Sequence, residues 1–294
     1  MIGPSFRDYI FRIIGHSRLP WARGLVYRLG GMESCRGKEF LVKFDALNYH
    51  GSFEEYIDRH IWCFGSYSPS ELDFLNHAST VLRGYRNTLT YLDIGANVGQ
   101  HALFMSRRSD RVLAFEPSSA VADRLQLNRD VNQLKNIEIH RVALGLEDCE
   151  AILGSGLPFN SGSRSLTWSL DIDKNSSVQV RHAGRYLAQE ARALGRVDII
   201  KLDVEGFEKN VLIALQEILQ RDRPVLLFEL VGKDLQGGFK SESELRQLLY
   251  ESHEMLSLGG INRAKLKPFR WDLSEEAVCV PLELKHHFQK MISE

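Results

Sequence analysis

Cysteine is scarce in this sequence and unpaired. Its 294 residues hold four, Cys35, Cys63, Cys149 and Cys279, widely scattered and without a CxxC pair. The scatter argues against a disulfide framework or a structural zinc site and points to a reducing, cytoplasmic compartment. No apolar run approaches the ~20 residues of a membrane-spanning helix. Arg12 interrupts the apolar stretch at residues 10–14 that a signal peptide would need. Neither charge sign is in excess: 37 basic against 38 acidic side chains leave −1. That balance gives no footprint for nucleic acid as a partner. There is no internal repeat and no low-complexity tract. What remains, 44% apolar and 26% charged residues, is the composition of an ordinary globular chain with a sizeable core.

One local asymmetry stands out. Residues 1–30 carry Arg7, Arg12, Arg18, Arg23 and Arg28 against a single acid, Asp8. Phe6, Ile10, Phe11, Ile13, Ile14, Trp21, Leu25 and Val26 lie between them. A basic amphipathic helix can rest on an anionic bilayer, which would give peripheral membrane contact through residues 1–30. The commoner arrangement is a helix packed on its domain with solvated arginines.

The pattern along the chain divides it in two. Residues 1–86 read as an N-terminal extension, a cap or substrate-side element. It has a strand at 39–47, a short helix at 52–65, and a clearer helix beginning at Ser68-Pro69 with Glu71 completing a capping box. Residues 87–294 alternate strand and helix. Strands are expected at 90–94, 111–117, 136–144, 197–206 and 223–232, and helices at 98–107, 118–132 and 207–220. Residues 197–202 and 225–230 are nearly continuous apolar runs, as in central strands buried on both faces. The alternation predicts an α/β, Rossmann-like fold, a mostly parallel sheet with helices on both sides. The glycine- and serine-rich stretch 154–171 fits a loop over the strand ends where ligands bind in such sheets, or a flexible linker.

The turn in "YLDIGANVGQ" is the most informative segment. A strand that runs through a glycine turn into a helix aims backbone N–H groups at one spot and lets a ligand approach closely. Asp93-Ile94-Gly95-Ala96-Asn97-Val98-Gly99 has this form. Glu116, ending the next strand before Pro117, can accept both hydroxyls of a ribose. A dinucleotide fingerprint needs glycine at position 97 and a small residue at 100, where Asn97 and Gln100 stand. A carboxylate at position 93 repels a pyrophosphate and attracts a free amino group. S-adenosylmethionine carries such a group together with a ribose and a sulfonium. The turn therefore suits that cofactor, with S-adenosylhomocysteine as product, better than NAD.

The segments "YLDIGANVGQHALFMS", "VLAFEPSSAVADRLQLNRDVNQLKNIEIHRVALG", "SGSRSL" and "VDIIKLDVEGFEKNVL…RPVLLFEL" resemble the FkbM family of S-adenosylmethionine-dependent methyltransferases across residues 88–232. The resemblance implies a class I methyltransferase fold, with seven mostly parallel strands and "EEAVCVP" as the antiparallel last one. It implies O-methylation of a sugar, glycan or glycolipid, or secondary metabolite. It also implies that Asp93, Gly95, Ala96, Asn97 and Gly99 line the methionine end of the cofactor and that Glu116 and Pro117 hold the ribose. Val142, Ala143 and Leu144 would flank the adenine, and Ser163, Arg164 and Ser165 would lie near the substrate entrance. Members usually carry a "TLD" segment before the K-x-DVEG strand. Here Ala183, Gly184 and Arg185 stand where that acid is expected.

Asp203 and Glu205 sit at a strand end, Glu208 in the first turn of the next helix, and Glu229 at the neighbouring strand end. Methyl transfer to a hydroxyl needs in-line placement and a proton acceptor. Asp203, then Glu205, are the candidates for that acceptor, with Asp203 also beside the cofactor and Glu229 on the substrate side. Glu208 equally suits helix-start stabilisation. A divalent metal held by these carboxylates is the less favoured route, because no histidine stands at an informative spacing. His101 reads as a helix-face residue. Two other functions share parts of this pattern: an NAD-dependent sugar oxidoreductase or epimerase, against which Asn97 counts, and a methyltransferase-like binding module.

Overall fold

The structure, a computed structural model, describes residues 4–17, 19, 21–29, 38–153, 166–167, 177–189, 195–230, 238–273 and 276–292. Helices α1 (Phe6–Gly15) and α2 (Ala22–Arg28) precede strands β1 (Glu39–Phe44) and β2 (Leu47–Ser52), then α3 (Tyr56–Phe64) and α4 (Pro69–Arg83). An alternating section follows: β3 (Thr90–Ile94), α5 (Gln100–Ser106), β4 (Arg111–Phe115), α6 (Ser119–Val131) and β5 (Ile137–His140). Next come β6 (Ala143–Gly145), β7 (Cys149–Leu153), β8 (Leu166–Thr167), β9 (Ser177–His182) and α7 (Ala183–Gln189). The chain continues through β10 (Ile199–Leu202), α8 (Glu208–Ala214), α9 (Gln216–Asp222), β11 (Val225–Glu229) and α10 (Glu242–Leu248). It ends with β12 (His253–Gly259), β13 (Lys265–Pro268), β14 (Glu276–Pro281) and α11 (Lys285–Phe288).

The main sheet has the order β13-β12-β14-β11-β10-β3-β4-β5. The pairs from β11 through β5 are parallel, whereas β14 runs antiparallel to both β11 and β12. This is the class I methyltransferase arrangement, with the antiparallel strand where "EEAVCVP" was expected and β13 added at the edge. Strand order reverses between β3 and β10. Ligands bind outside the carboxyl ends of the strands at such a switch point.

Period-two alternation splits the central strands between two cores. Tyr91 and Ile199 pack on one side of the sheet, with Phe104, Leu75 and Phe288. Leu92, Ile94 and Ile200 pack on the other, with Leu212 and Leu219. The first core also takes in Phe11, Val26, Phe40, Phe53 and Trp62, so the described part of residues 1–86 shares a hydrophobic interior with the sheet.

Four local expectations are corrected. The strand foreseen at 39–47 is half of a hairpin. Asp45 and Ala46 take positive φ of 46° and 66° and reverse the chain into β2. The helix foreseen at 207–220 is two, α8 and α9. The strand foreseen at 136–144 splits, and β6 joins a second, four-stranded sheet of order β6-β9-β7-β8. No capping box forms at α4, because Ser68 sits at φ 41° and its side chain caps no backbone N–H.

The hairpin is fixed by α6. Asn132 Oδ1 accepts from Asn48 N, and its amide donates back to Asn48 O, both at 2.7 Å. Asn128 does the same with His50 at 2.7 and 3.1 Å. Side-chain amides thus cap an edge that would otherwise expose unpaired backbone. Buried Asp58 completes the joint, accepting from Tyr49 Oη at 2.5 Å and Ser52 N at 2.6 Å and pairing with Arg124. These bonds tie the hairpin and α3 to α6.

Candidate active site

The turn after β3 is held by its own backbone. Gly95 N and Ala96 N donate to Phe115 O at 3.0 and 2.9 Å, and Gly99 N donates to Ala96 O at 2.9 Å. Asn97 N donates to Glu116 Oε2 at 3.1 Å, and Val98 N to Asn97 Oδ1 at 2.8 Å. Every N–H from Gly95 to Gly99 is therefore engaged inside the protein, and the turn is not a phosphate cradle. The glycines serve close packing. A Cβ on Gly95 (φ 82°) would meet Asp203 O at 1.7 Å, and one on Gly99 (φ 88°) would meet Leu125 at 2.6 Å. Gly95 thus brings the ends of β3 and β10 together.

Two cavities open at this point. The first, of about 660 Å³, is lined by Ile94, Gly95, Asn97, Phe115, Glu116, Pro117, Ser118, Val142, Ala143, Leu144, Leu153, Asp203, Val204 and Glu205. Its walls are mostly apolar. Glu116 is buried, and its carboxylate accepts from Asn97 N and, at 2.8 Å, from Ser118 N. The second cavity, of about 600 Å³, is lined by Ile57, Tyr67, Glu71, Gly95, Ala96, Asn97, Val98, Gln100, His101, Lys201, Asp203, Glu205 and Glu229. Gly95, Asn97, Asp203 and Glu205 belong to both and form the shared wall.

The second cavity is dense in charge. Lys201, 4% exposed, lies in the apolar strand β10 with its Nζ 3.0 Å from Asp203 Oδ2. Burial disfavours its ammonium, but Asp203, Asp93 and Glu71 outweigh that and hold it protonated well above the ordinary lysine range. Glu71 Oε2 is 3.2 Å from His101 Nε2, an ion pair by distance, although the two are misaligned for a hydrogen bond. Burial raises the Glu71 carboxyl, yet His101 and Lys201 more than offset it, to about 2. Glu229 goes the other way: burial and the Asp203 charge push it up to about 8. Burial and Asp203 also raise Glu205, which sits at φ 54° in the loop after β10.

Of the residues expected to contact cofactor, Gly95, Asn97, Glu116, Pro117, Val142, Ala143 and Asp203 line the first cavity, while Ala96 lines the second. Asp93 lines neither. It is fully buried beside Lys201 in the sheet register, and neither oxygen makes a hydrogen bond. Burial raises its carboxyl and Lys201 pulls it back. Gly99 packs on Leu125 and also lies off both walls. Glu229 and Glu205 line the second cavity, and Ser163, Arg164 and Ser165 fall outside the described residues. Glu208 caps the loop before α8, its Oε1 accepting from Val204 N and Gly206 N at 3.1 Å each. Ala183, Gly184 and Arg185 begin α7 away from both cavities. A Cβ on Gly184 would meet Ala214 O at 2.5 Å, and Arg185 pairs with Asp148.

Tyr67, Glu71, His101 and Lys201 were not singled out as site residues from sequence. Gln100 was read only as a departure from a dinucleotide motif. Its amide grips the Tyr67 backbone both ways, accepting from Tyr67 N at 2.6 Å and donating to Tyr67 O at 3.0 Å, and so fastens the N-terminal region to the turn. Among the described residues no group of three or more histidine, cysteine or carboxylate side chains is placed to hold a metal ion. The cation amid these carboxylates is Lys201.

The first cavity fits an adenosyl group. Phe115, Val142, Leu144 and Leu153 offer apolar faces to a base, and Glu116 is a carboxylate held rigidly at the strand end. Comparison with known proteins identifies the family. Residues 93–256, more than half of the chain, match the family described as Methyltransferase FkbM domain. A curated relative, Methyltransferase 1 of Beauveria bassiana (strain ARSEF 2860), is 29% identical over 145 residues, 43% of this chain and 58% of that protein. This chain thus spans less than two thirds of that relative's length. Among solved structures, the methyltransferase FkbM from Methylobacillus flagellatus KT aligns at 14% identity and TM-score 0.42, over 76% of this chain and 52% of that one. The SAM-dependent methyltransferase from Agrobacterium tumefaciens aligns at 12% identity and TM-score 0.45, over 84% of this chain and 71% of that one. With its strand order, its two-cavity switch point and the match over residues 93–256, the chain belongs to the FkbM family of methyltransferases.

Proposed function

We propose that the protein methylates a hydroxyl group on a sugar, glycan, glycolipid or secondary metabolite. The observation that carries this reading is the wall shared by the two cavities. A donor site and an acceptor site meet at Gly95, Asn97, Asp203 and Glu205, so two bound molecules can be held end to end. S-adenosylmethionine, when bound, supplies an electrophilic methyl on sulfur and leaves as S-adenosylhomocysteine. Glu116 would accept from the ribose hydroxyls, and the apolar walls would sandwich the base. On the other side, Tyr67, Glu205 and Glu229 bring polar groups to the second cavity that would suit a polyol.

The shared wall also orders the two carboxylates proposed for chemistry. Lys201 neutralises Asp203 at 3.0 Å, which suits Asp203 to orienting a hydroxyl. Glu205 forms no ion pair among the described residues, and burial and Asp203 raise its carboxyl while Lys201 lowers it. A carboxyl raised above its ordinary range is suited to accept a proton, so Glu205 is assigned that step. Glu229, up to about 8, is largely protonated at neutral pH and can donate to an acceptor oxygen. The direct test is incubation with S-adenosylmethionine and a panel of sugars, glycolipids and phenols, read by mass spectrometry. Gain of one methyl on a hydroxyl acceptor supports the reading. Methylation of amines alone would replace it.

A further inference from the structure

The described residues expose eighteen large hydrophobic side chains, and eight of them fall within the first 29 residues: Phe6, Tyr9, Ile10, Ile13, Leu19, Trp21, Tyr27 and Leu29. The rest are spread over the remaining chain, which is the ordinary scatter of apolar residues on a surface. On α1 the exposed set is Phe6 (83%), Tyr9, Ile10 and Ile13 (72%). That spacing, i, i+3, i+4, i+7, is one continuous stripe of a helix. The stripe points away from the protein because the opposite face is committed. Phe11 is buried in the core, and a Cβ on Gly15 would meet Cys63 O at 2.0 Å, so α1 lies hard against α3.

Within the described part of residues 1–30 the exposed charges are of one sign. Asp8, the only acid in residues 1–30, is 1% exposed and bonded to Ser5 N and Oγ at 2.6 and 2.7 Å, with Lys38 at 3.5 Å. The same thirty residues hold five arginines. Arg12 is drawn inward to Trp62 O, but Arg7 and Arg28 remain on the surface. An outward apolar stripe with aromatic neighbours and exposed cations, its single acid turned inside, is complementary to an anionic lipid surface. Against a second copy of itself the same face would set arginine against arginine.

We propose that α1 and α2 form a docking surface for an anionic bilayer. Phe6, Ile10 and Ile13 insert at the headgroup boundary, and Arg7 and Arg28 meet the lipid phosphates and carboxylates. α1 packs on α3, and α3, the loop after it and the first turn of α4 supply Ile57, Tyr67 and Glu71 to the second cavity, so docking would hold that cavity's N-terminal wall near the membrane. The inference stands on the surface alone and does not require the activity proposed above.

The test is flotation of the full chain with phosphatidylcholine vesicles and with vesicles that also contain phosphatidylserine. The expected result is co-flotation with the second kind only, weakened by high salt. Ile13→Ser and Arg28→Glu, both at exposed positions, should each reduce the floated fraction about five-fold or more. Unchanged thermal stabilisation by S-adenosylhomocysteine would show that the variants are folded. Absence of flotation with anionic vesicles would overturn the proposal. So would equal flotation of native chain and Ile13→Ser. Sedimentation that shows a dimer dissolved by Ile13→Ser, without vesicle binding, would reassign the face to self-association.

Discussion

The two cavities that meet at the switch point are walled by different chemistry, although they share four residues. The Glu116 side is apolar, with one carboxylate pinned by two backbone N–H groups. The Lys201 side holds Glu71, His101, Asp203, Glu205 and Glu229 around one buried ammonium. The first is the side proposed above for a ligand with a flat apolar face and a pair of hydroxyls. The second is an electrostatic network whose protonation states are set by its members. It follows that changes on the first side should act on cofactor affinity, and changes on the second on turnover and its pH dependence. Mutations can sharpen or break that division.

The largest effect is expected at the shared wall. Glu205→Gln should lower turnover by about 10²–10⁴-fold, the range for a lost general base. Affinity for S-adenosylhomocysteine should stay within a few-fold. Single-turnover kinetics beside a binding titration would read both. Loss of binding with intact turnover would dissolve the distinction between the cavities.

Glu229 should give a smaller effect, shaped by pH. Its carboxyl, up to about 8, is protonated and able to donate below that pH and becomes an anion above it. The KM for the acceptor should therefore rise as pH passes upward through about 8. In Glu229→Gln, which donates at every pH, the rise should be absent. A KM profile that keeps its rise in the variant would remove Glu229 from acceptor binding.

Glu208 supplies a stability effect outside both cavities. Burial raises its carboxyl to about 7 against its backbone donors, above its ordinary value of 4.5. The folded state thus binds this proton more tightly than the unfolded state. The contribution to stability is full below about 4.5 and is lost as pH rises through about 7. Glu208→Gln keeps an oxygen for Val204 N and Gly206 N. It should melt later than the native chain at pH 8, by roughly 1–2 kcal/mol or a few degrees, and about equally at pH 4. A larger gain at pH 4 than at pH 8 would reverse the assignment.

The slot was the more legible half from sequence. Gly95, Asn97 and Glu116 lie where a strand, a turn and the next strand end in register, and local pattern carries that information. Even so, the reason for the glycines differs. Free N–H groups were expected, whereas the turn spends them on Phe115 O, Glu116 and itself, and Gly95 is needed because Asp203 O would clash with a side chain.

The charged half was largely hidden because its members come from distant segments and each had a simple local explanation. Glu71 reads as a capping box and His101 as a helix-face residue, and Tyr67 falls between two expected helices. Lys201 was the available signal. A lysine within the apolar run "VDIIKLD" cannot be buried without counter-charges, which required carboxylates beyond Asp203. The hairpin partner β2 was missed because Asp45-Ala46 carries no glycine to mark the reversal, and its support comes from Asn128 and Asn132 on a helix far along the chain.

The division of labour between the cavities is tested most directly by calorimetric titration of S-adenosylhomocysteine into the native chain, Glu116→Gln and Glu229→Gln. The expected result is affinity weakened about tenfold or more in Glu116→Gln, on the order of 1.5 kcal/mol for a hydrogen bond to a charged group, and unchanged within a few-fold in Glu229→Gln. Equal loss in both variants, or loss in Glu229→Gln alone, would contradict the assignment of the adenosyl group to the Glu116 side.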